Sequence, residues 1–156
     1  MTMSNRLKSY LDEAGVRYDT VAHPRTSTTS AAAEAAHVPG DSVAKTVVIH
    51  HEEGYVLAVV PSSHRVDLST LQDCIDRRLG LASEEEIDAI FADCDRGAAP
   101  PIGEAYGVRT MVDPSLTGRT DIWFEGGDHR TLVHISGADF DLLMQDARKE
   151  RFSYHV

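Results

Sequence analysis

Lys45 is the residue whose type and setting point most directly to chemistry. It is the only lysine between Lys8 and Lys149, in a chain whose 15 basic residues include 12 arginines. It sits inside Val43-Ala44-Lys45-Thr46-Val47-Val48-Ile49, a run that reads as a strand. Strand side chains alternate, so Lys45 shares its face with Val43, Val47 and Ile49 rather than with polar residues. A compact, strongly hydrated ammonium among apolar side chains is costly unless an anion or a hydrogen-bond acceptor meets it. Three readings stand side by side: a strand lysine turned to solvent, a buried ion pair, and a site that receives an anion.

Two further stretches have the right composition to wall such a site. In Gly97-Ala98-Ala99-Pro100-Pro101-Ile102-Gly103 the paired prolines fix two backbone angles and remove two N–H donors, and the flanking glycines permit close approach. The plain alternative is a connector between elements. In Glu125-Gly126-Gly127-Asp128-His129 a glycine turn exposes backbone N–H groups, with Asp128 and His129 able to hold or polarise a small polar ligand. The plain alternative is an ordinary hairpin turn. Phosphate-binding glycine loops, the zinc-protease helix motif and the nucleophile elbow are all absent. Eight histidines show no metal-ligand spacing, and the adjacent His50 and His51 point to opposite faces of a strand. Neither a metal nor another cofactor is expected.

The elements that must position these residues follow from periodicity and punctuation. Leu7, Tyr10, Leu11 and Ala14 share a helical face ended by Gly15, and 16–22 reads as a strand. Residues 26–30 offer several N-caps to an alanine-rich helix through Ala36. Residues 43–50 and 55–61 form a hairpin around Glu52-Glu53-Gly54. Leu68, Leu71, Cys74, Ile75 and Leu79 predict a helix closed by Gly80, and Ser83 with Glu86 predicts a capping box for the next. Residues 108–112 read as a strand, 121–125 and 131–135 as a hairpin around Gly126-Gly127, and Ser136 as the cap of a last helix with Phe140, Leu143 and Met144 inward. The order lacks the long βαβ alternation of a dinucleotide fold. It predicts a mixed α/β domain, with a mainly antiparallel mixed sheet surrounded by helices. One domain is expected over residues 1–147, with 148–156 as a loose polar tail.

Composition is that of a soluble globular protein, 42% hydrophobic and 26% charged. A net charge of -10 argues against a broad nucleic-acid footprint but leaves room for a local basic pocket gripping one end of such a polymer. No apolar run approaches the ~20 residues of a membrane span, and the first residues lack the apolar core of a secretory leader. Cys74 and Cys94 read as core thiols in a reducing compartment, so a cytoplasmic location is expected.

Taken in order and spacing, the alanine-rich helix followed by Ala44-Lys45-Thr46-Val47-Val48, the 97–103 loop and the Gly126-Gly127 turn resemble the stand-alone aminoacyl-tRNA deacylases of the YbaK type. These are related to the editing domain inserted in bacterial prolyl-tRNA synthetase. The resemblance runs from the first helix to about Met144. It implies a mixed α/β domain around a curved sheet that hydrolyses, in trans, the ester joining a wrong amino acid to a tRNA 3′ end. It implies Lys45 as the essential lysine. Thr46, Gly97, Pro100, Pro101, Gly103, Gly126, Gly127, Asp128, His129 and His134 become candidate substrate-binding positions. Gly126 and Gly127 would hold the developing oxyanion through their N–H groups. Thr46 stands where some relatives carry asparagine, and the Glu125 to His129 turn is more polar than in others. The implied partners are the tRNA acceptor end, met by Arg65, Arg96, Arg119 and Arg130, and an aminoacyl-tRNA synthetase. Two other classes compete: a non-catalytic module using the same pocket, and a hydrolase of another small ester.

Overall fold

Side-chain oxygens at four loop ends decide where helices begin. Ser4, Thr28, Ser83 and Ser136 each accept a backbone N–H three residues on, starting α1 (Asn5–Glu13), α2 (Thr29–Ala35), α4 (Glu84–Ile90) and α5 (Gly137–Leu143). The capping box expected at Ser83 and Glu86 is present in both directions. The computed structural model describes residues 3–75 and 77–156.

The strands are β1 (Asp19–Ala22), β2 (Val43–His51), β3 (Gly54–Pro61), β4 (His64–Val66), β5 (Leu79–Leu81), β6 (Arg109–Val112), β7 (Asp121–Glu125), β8 (Thr131–Ser136), β9 (Arg148–Lys149) and β10 (Ser153–His155). Eight of them make one mixed sheet in the order β1-β8-β7-β2-β3-β6-β9, with β5 added beside β2. The expected hairpins are there: β2 with β3 and β7 with β8, both antiparallel. Three pairings are parallel, β2 with β7, β3 with β6 and β6 with β9.

Both faces of the central strands are covered. Ala44, Val48, Leu57, Val59, Val112 and Phe124 pack under α1, α4 and α5 with Leu7, Phe91 and Phe140. Ile49, Val56, Ala58, Val60 and Met111 pack on the other face under α3 (Leu68–Ile75), through Leu71 and Phe152. β2 and β3 therefore read as near-continuous apolar runs, the expected pattern for strands buried on both sides.

Two expectations are corrected. The helix expected to reach Leu79 ends its described span at Ile75, and residue 76 lies outside the described residues. Leu79–Leu81 pairs instead with His51 to Ile49 of β2, because a buried central strand with a free edge outcompetes a last helical turn carrying Gly80. The segment expected as a loose tail is ordered. β9 extends the sheet beside β6, β10 pairs with β4, and Phe152 between them is buried. Phe152 and Tyr154 are apolar area that a polar-tail reading overlooks, and Asp113 anchors the segment by accepting from the Phe152 and Ser153 amides.

Candidate active site

β2 changes neighbour along one edge, and that change makes the site. Val43 and Ala44 pair with Trp123 and Phe124 of β7, while Ile49 to His51 pair with β5. Between these ladders Lys45, Thr46 and Val47 have no strand on that edge among the described residues. Successive residues of a strand turn their N–H and C=O groups to alternate edges, so at least one of the three presents backbone donors and acceptors to the gap. β7 ends at Glu125, one rung past the last paired residue, as Lys45 is on β2. The register therefore places Lys45 and Glu125 on the same face of the sheet where the two strands part. Crevices of this kind, at the carboxyl end of a parallel pair, are where α/β sheets commonly take ligands.

Lys45 is half-buried, and its Nζ donates to the carbonyl oxygen of His64 at 2.7 Å. Burial, with the Arg65 charge nearby, holds its pKa below the usual lysine value. The hydrogen bond to a neutral carbonyl leaves two ammonium N–H groups for a ligand. Thr46 points the other way, toward Ala44 and Val48, and its buried hydroxyl has no protein partner among the described residues.

The turn after β7 is built tightly. Asp128 is buried and structural: its Oδ1 accepts from the Arg130 amide at 2.9 Å and its Oδ2 from Thr131 Oγ1 at 3.0 Å. That turn puts His129 in the left-handed region, at φ 60°. Gly126 donates its N–H to Thr131 and accepts from Ser4. Its N–H is thus spent on the hairpin, which corrects the expectation that it would hold an oxyanion. The Gly127 carbonyl accepts from Asp95 at 2.8 Å, tying the turn to the start of the proline loop. Gly97, at φ +80°, lies flat on His129: a Cβ there would stand 3.3 Å from His129 Cε1. Pro100 and Pro101 are buried.

Among the expected positions, Gly97, Gly126, Gly127, Asp128 and His129 come together, with His129 at the floor of a hollow of about 560 Å³ between Arg25, Thr26, Ser27 and Arg96. Lys45 and Thr46 lie on β2 and are not among the residues lining that hollow; Lys45 is turned to His64 of β4. Two further positions lie elsewhere. Gly103 borders a separate groove of about 940 Å³ beside β3 and β6, and is glycine because a Cβ would fall 2.4 Å from Thr110 Oγ1. His134 stacks on Trp123 and bridges Asp19 and Asp121 at 3.2 and 2.8 Å. Burial opposes its protonation, but the two carboxylates outweigh it and raise its pKa.

Glu125 is the residue that sequence reasoning passed over. It is 1% exposed and carries the strongest electrostatic anomaly of the site: burial, with Asp128 adding to it against a 3.4 Å hydrogen bond from Thr29, pushes its pKa up to about 7. A glutamate closing an apolar strand four residues before a histidine is the pattern that marks it.

A model of the aminoacyl-tRNA editing domain family matches residues 23–143. The prolyl-tRNA editing protein ProX of Acetoanaerobium sticklandii is 25% identical over 142 residues, covering 86% of each chain. Among solved structures, a protein described as a candidate trans-editing enzyme for prolyl-tRNA synthetase superposes with a TM-score of 0.83 at 24% identity, over 96% of this chain and 95% of its own. A hypothetical protein superposes with a TM-score of 0.84 at 18% identity, over 96% of this chain and 100% of its own. These superpositions share the fold described above.

Proposed function

The chain belongs to the aminoacyl-tRNA editing domain family, and on that premise we propose that it is a free-standing hydrolase that cleaves the ester of a mischarged tRNA. The observation that supports this most is the gap in β2: an ammonium with unused donors and unpaired backbone groups, on the face where β2 and β7 part. The names of the relatives extend the reading to tRNA of the proline system, with the synthetase as partner.

An aminoacyl ester is already activated, so positioning and charge stabilisation suffice. Water adds to the ester carbonyl carbon. The oxyanion that forms is received by the Thr46 backbone N–H at the open edge of β2, with Lys45 as the nearby positive charge, a role that the Gly126 amide does not share. The C–O bond to the ribose then breaks and the leaving oxygen takes a proton. The substrate's neighbouring ribose hydroxyl orients the water, so no Ser-His-Asp arrangement is required. The buried Pro100-Pro101 segment stiffens the wall that limits the amino acid.

The test is single-turnover hydrolysis of a panel of mischarged proline tRNAs, with an acceptor-stem minihelix as competitor. Binding without turnover would overturn the enzymatic reading, and hydrolysis indifferent to the minihelix would assign the pocket to another ester.

With a net charge of -10 the protein touches only the acceptor end. Arg65 and Arg130 are exposed and make no ion pair among the described residues. Arg96 is held by Glu84 and Asp88 at 2.7 and 2.8 Å, and Arg119 bonds Ser115 and Ser42. Two or three phosphate contacts predict a log–log salt slope of about -2, since each contributes about -0.7 to -0.9. Arg65→Ala should flatten it by about 1, and Arg96→Ala should leave it in place. Binding measured against salt checks both, and a slope several times steeper would require a larger footprint.

A further inference from the structure

His129 sits between two groups that decide its protons. Its Nε2 meets the carbonyl oxygen of Arg96 within hydrogen-bonding distance, and a carbonyl only accepts, so Nε2 carries a hydrogen. Its Nδ1 faces Glu125 Oε2 at 3.7 Å, with side chains only 4% and 2% exposed. Neither Nδ1 nor Glu125 Oε1 has a hydrogen-bond partner among the described residues. If both groups were deprotonated, a carboxylate would face an imidazole lone pair where both side chains are buried. One proton between them removes that repulsion, whether it is written as carboxylic acid with imidazole or as carboxylate with imidazolium.

We propose that Glu125 is a positioning residue for the site: it shares one proton with His129, and the pair latches the proline loop to the turn after β7. The latch grips the loop at Arg96, directly before Gly97, and a second bond, from the Asp95 amide to Gly127, lies beside it. Gly97 gives the ring its seat, because any side chain there would press on Cε1. The inference rests on the editing reading for its effect on catalysis, though not for the proton itself. It also gives His129 a different part from the substrate contact expected of it, since both ring nitrogens already face protein groups.

The charges around the pair favour a retained proton. Asp128 on the same turn adds to the repulsion on Glu125, and Thr29 of α2 contributes one hydroxyl hydrogen bond. Arg25 is turned to Asp95, and Arg96 to Glu84 and Asp88, so neither guanidinium pairs with the carboxylate. His23, buried at the end of β1, bonds its own turn at the Pro24 carbonyl. A group whose pKa is raised on folding stabilises the fold below its unfolded value, and that contribution is lost as pH rises through the folded one. For Glu125 that window lies between ordinary carboxylate titration and about pH 7. Above it the proton leaves to solvent, the carboxylate repels Nδ1, and the hold on the Arg96 carbonyl loosens.

Two measurements on the full chain decide this. Ring-nitrogen NMR of the wild type should show His129 with Nε2 protonated throughout and one proton leaving the pair near neutrality. In Glu125→Gln, where no carboxylate faces Nδ1, His129 should keep the Nε2 hydrogen that meets the Arg96 carbonyl. The single-turnover deacylation rate should fall several-fold in wild type as pH rises through the same window. The inflection should vanish in Glu125→Gln and be replaced by a low, flat profile in Glu125→Ala. A ring that lacks the Nε2 hydrogen, or an unchanged inflection in Glu125→Gln, overturns the latch. A wild type that hydrolyses no aminoacyl ester removes the editing reading, and the ring-nitrogen spectra still decide the pair.

Discussion

We expect Lys45→Ala to lower the single-turnover rate of aminoacyl-ester hydrolysis by about 100-fold or more, the range found when one charge-stabilising donor is removed from a preorganised site. The protein should stay folded, because the side chain contributes little net stability. It makes one hydrogen bond, from its ammonium to a carbonyl, worth about 2 kcal/mol, and its lowered pKa says that burial works against its charge and offsets that gain. Lys45→Met, which keeps the length and removes the ammonium, should therefore melt at or slightly above the wild-type temperature while remaining inactive. Lys45→Arg tests the charge differently. Its planar fork is longer and has no compact point of charge to place beside the carbonyl of His64, so activity should not return. Rates on a mischarged panel together with melting temperatures separate these effects. A Lys45→Ala protein with wild-type turnover would take the lysine out of the mechanism.

How much of this was legible in the sequence depends on the range of the interaction. Lys45 stood out because its strand is apolar on both faces, and the structure accounts for that pattern by covering β2 with α1, α4 and α5 on one side and α3 on the other. The two hairpins and the four helix caps are local and were readable from turn and cap chemistry. The gap in β2 was not. It depends on β7 and β5 sharing one edge, a pairing across roughly 80 and 30 residues that no local pattern encodes. The oxyanion role given to Gly126 failed for the same reason. A glycine turn looks rich in free amides until the partner strand takes one of them. Glu125 was hidden by its company, since Gly126-Gly127 supplied a sufficient reason for a turn and Glu125 was read as its polar flank. Only the arrival of Arg96 from the far loop makes that carboxylate one half of a pair.

The C-terminal segment leads to the second large effect, on stability. Asp113 is 2% exposed and its carboxylate accepts five hydrogen bonds: Oδ1 from the amide and hydroxyl of Ser115, and Oδ2 from the amides of Phe152 and Ser153 and the Ser153 hydroxyl. Burial alone would raise its pKa, yet these donors outweigh it and hold the carboxyl below the usual range. Asp113→Ala strands the buried Phe152 amide and frees β10, with Phe152 drawn out of the core under α3. The expected cost is about 4 kcal/mol, in the range for breaking a buried charged network, or roughly 10 °C in melting temperature for a chain of this size. A depressed carboxylate stabilises the fold above its unfolded pKa and loses that contribution as pH falls through the folded value. The gap between wild type and Asp113→Ala should therefore be full at neutral pH and close only in acid. Activity should fall as well, because β10 braces β4 and the β4 carbonyl of His64 holds Lys45. Deleting residues 151–156 separates the two halves of the argument. If Asp113 acts through this segment, the deletion and Asp113→Ala should be strongly non-additive in one chain. Full additivity, or a melting temperature for Asp113→Ala within 2 °C of wild type, would mean that the C-terminal strand is held by something other than this carboxylate.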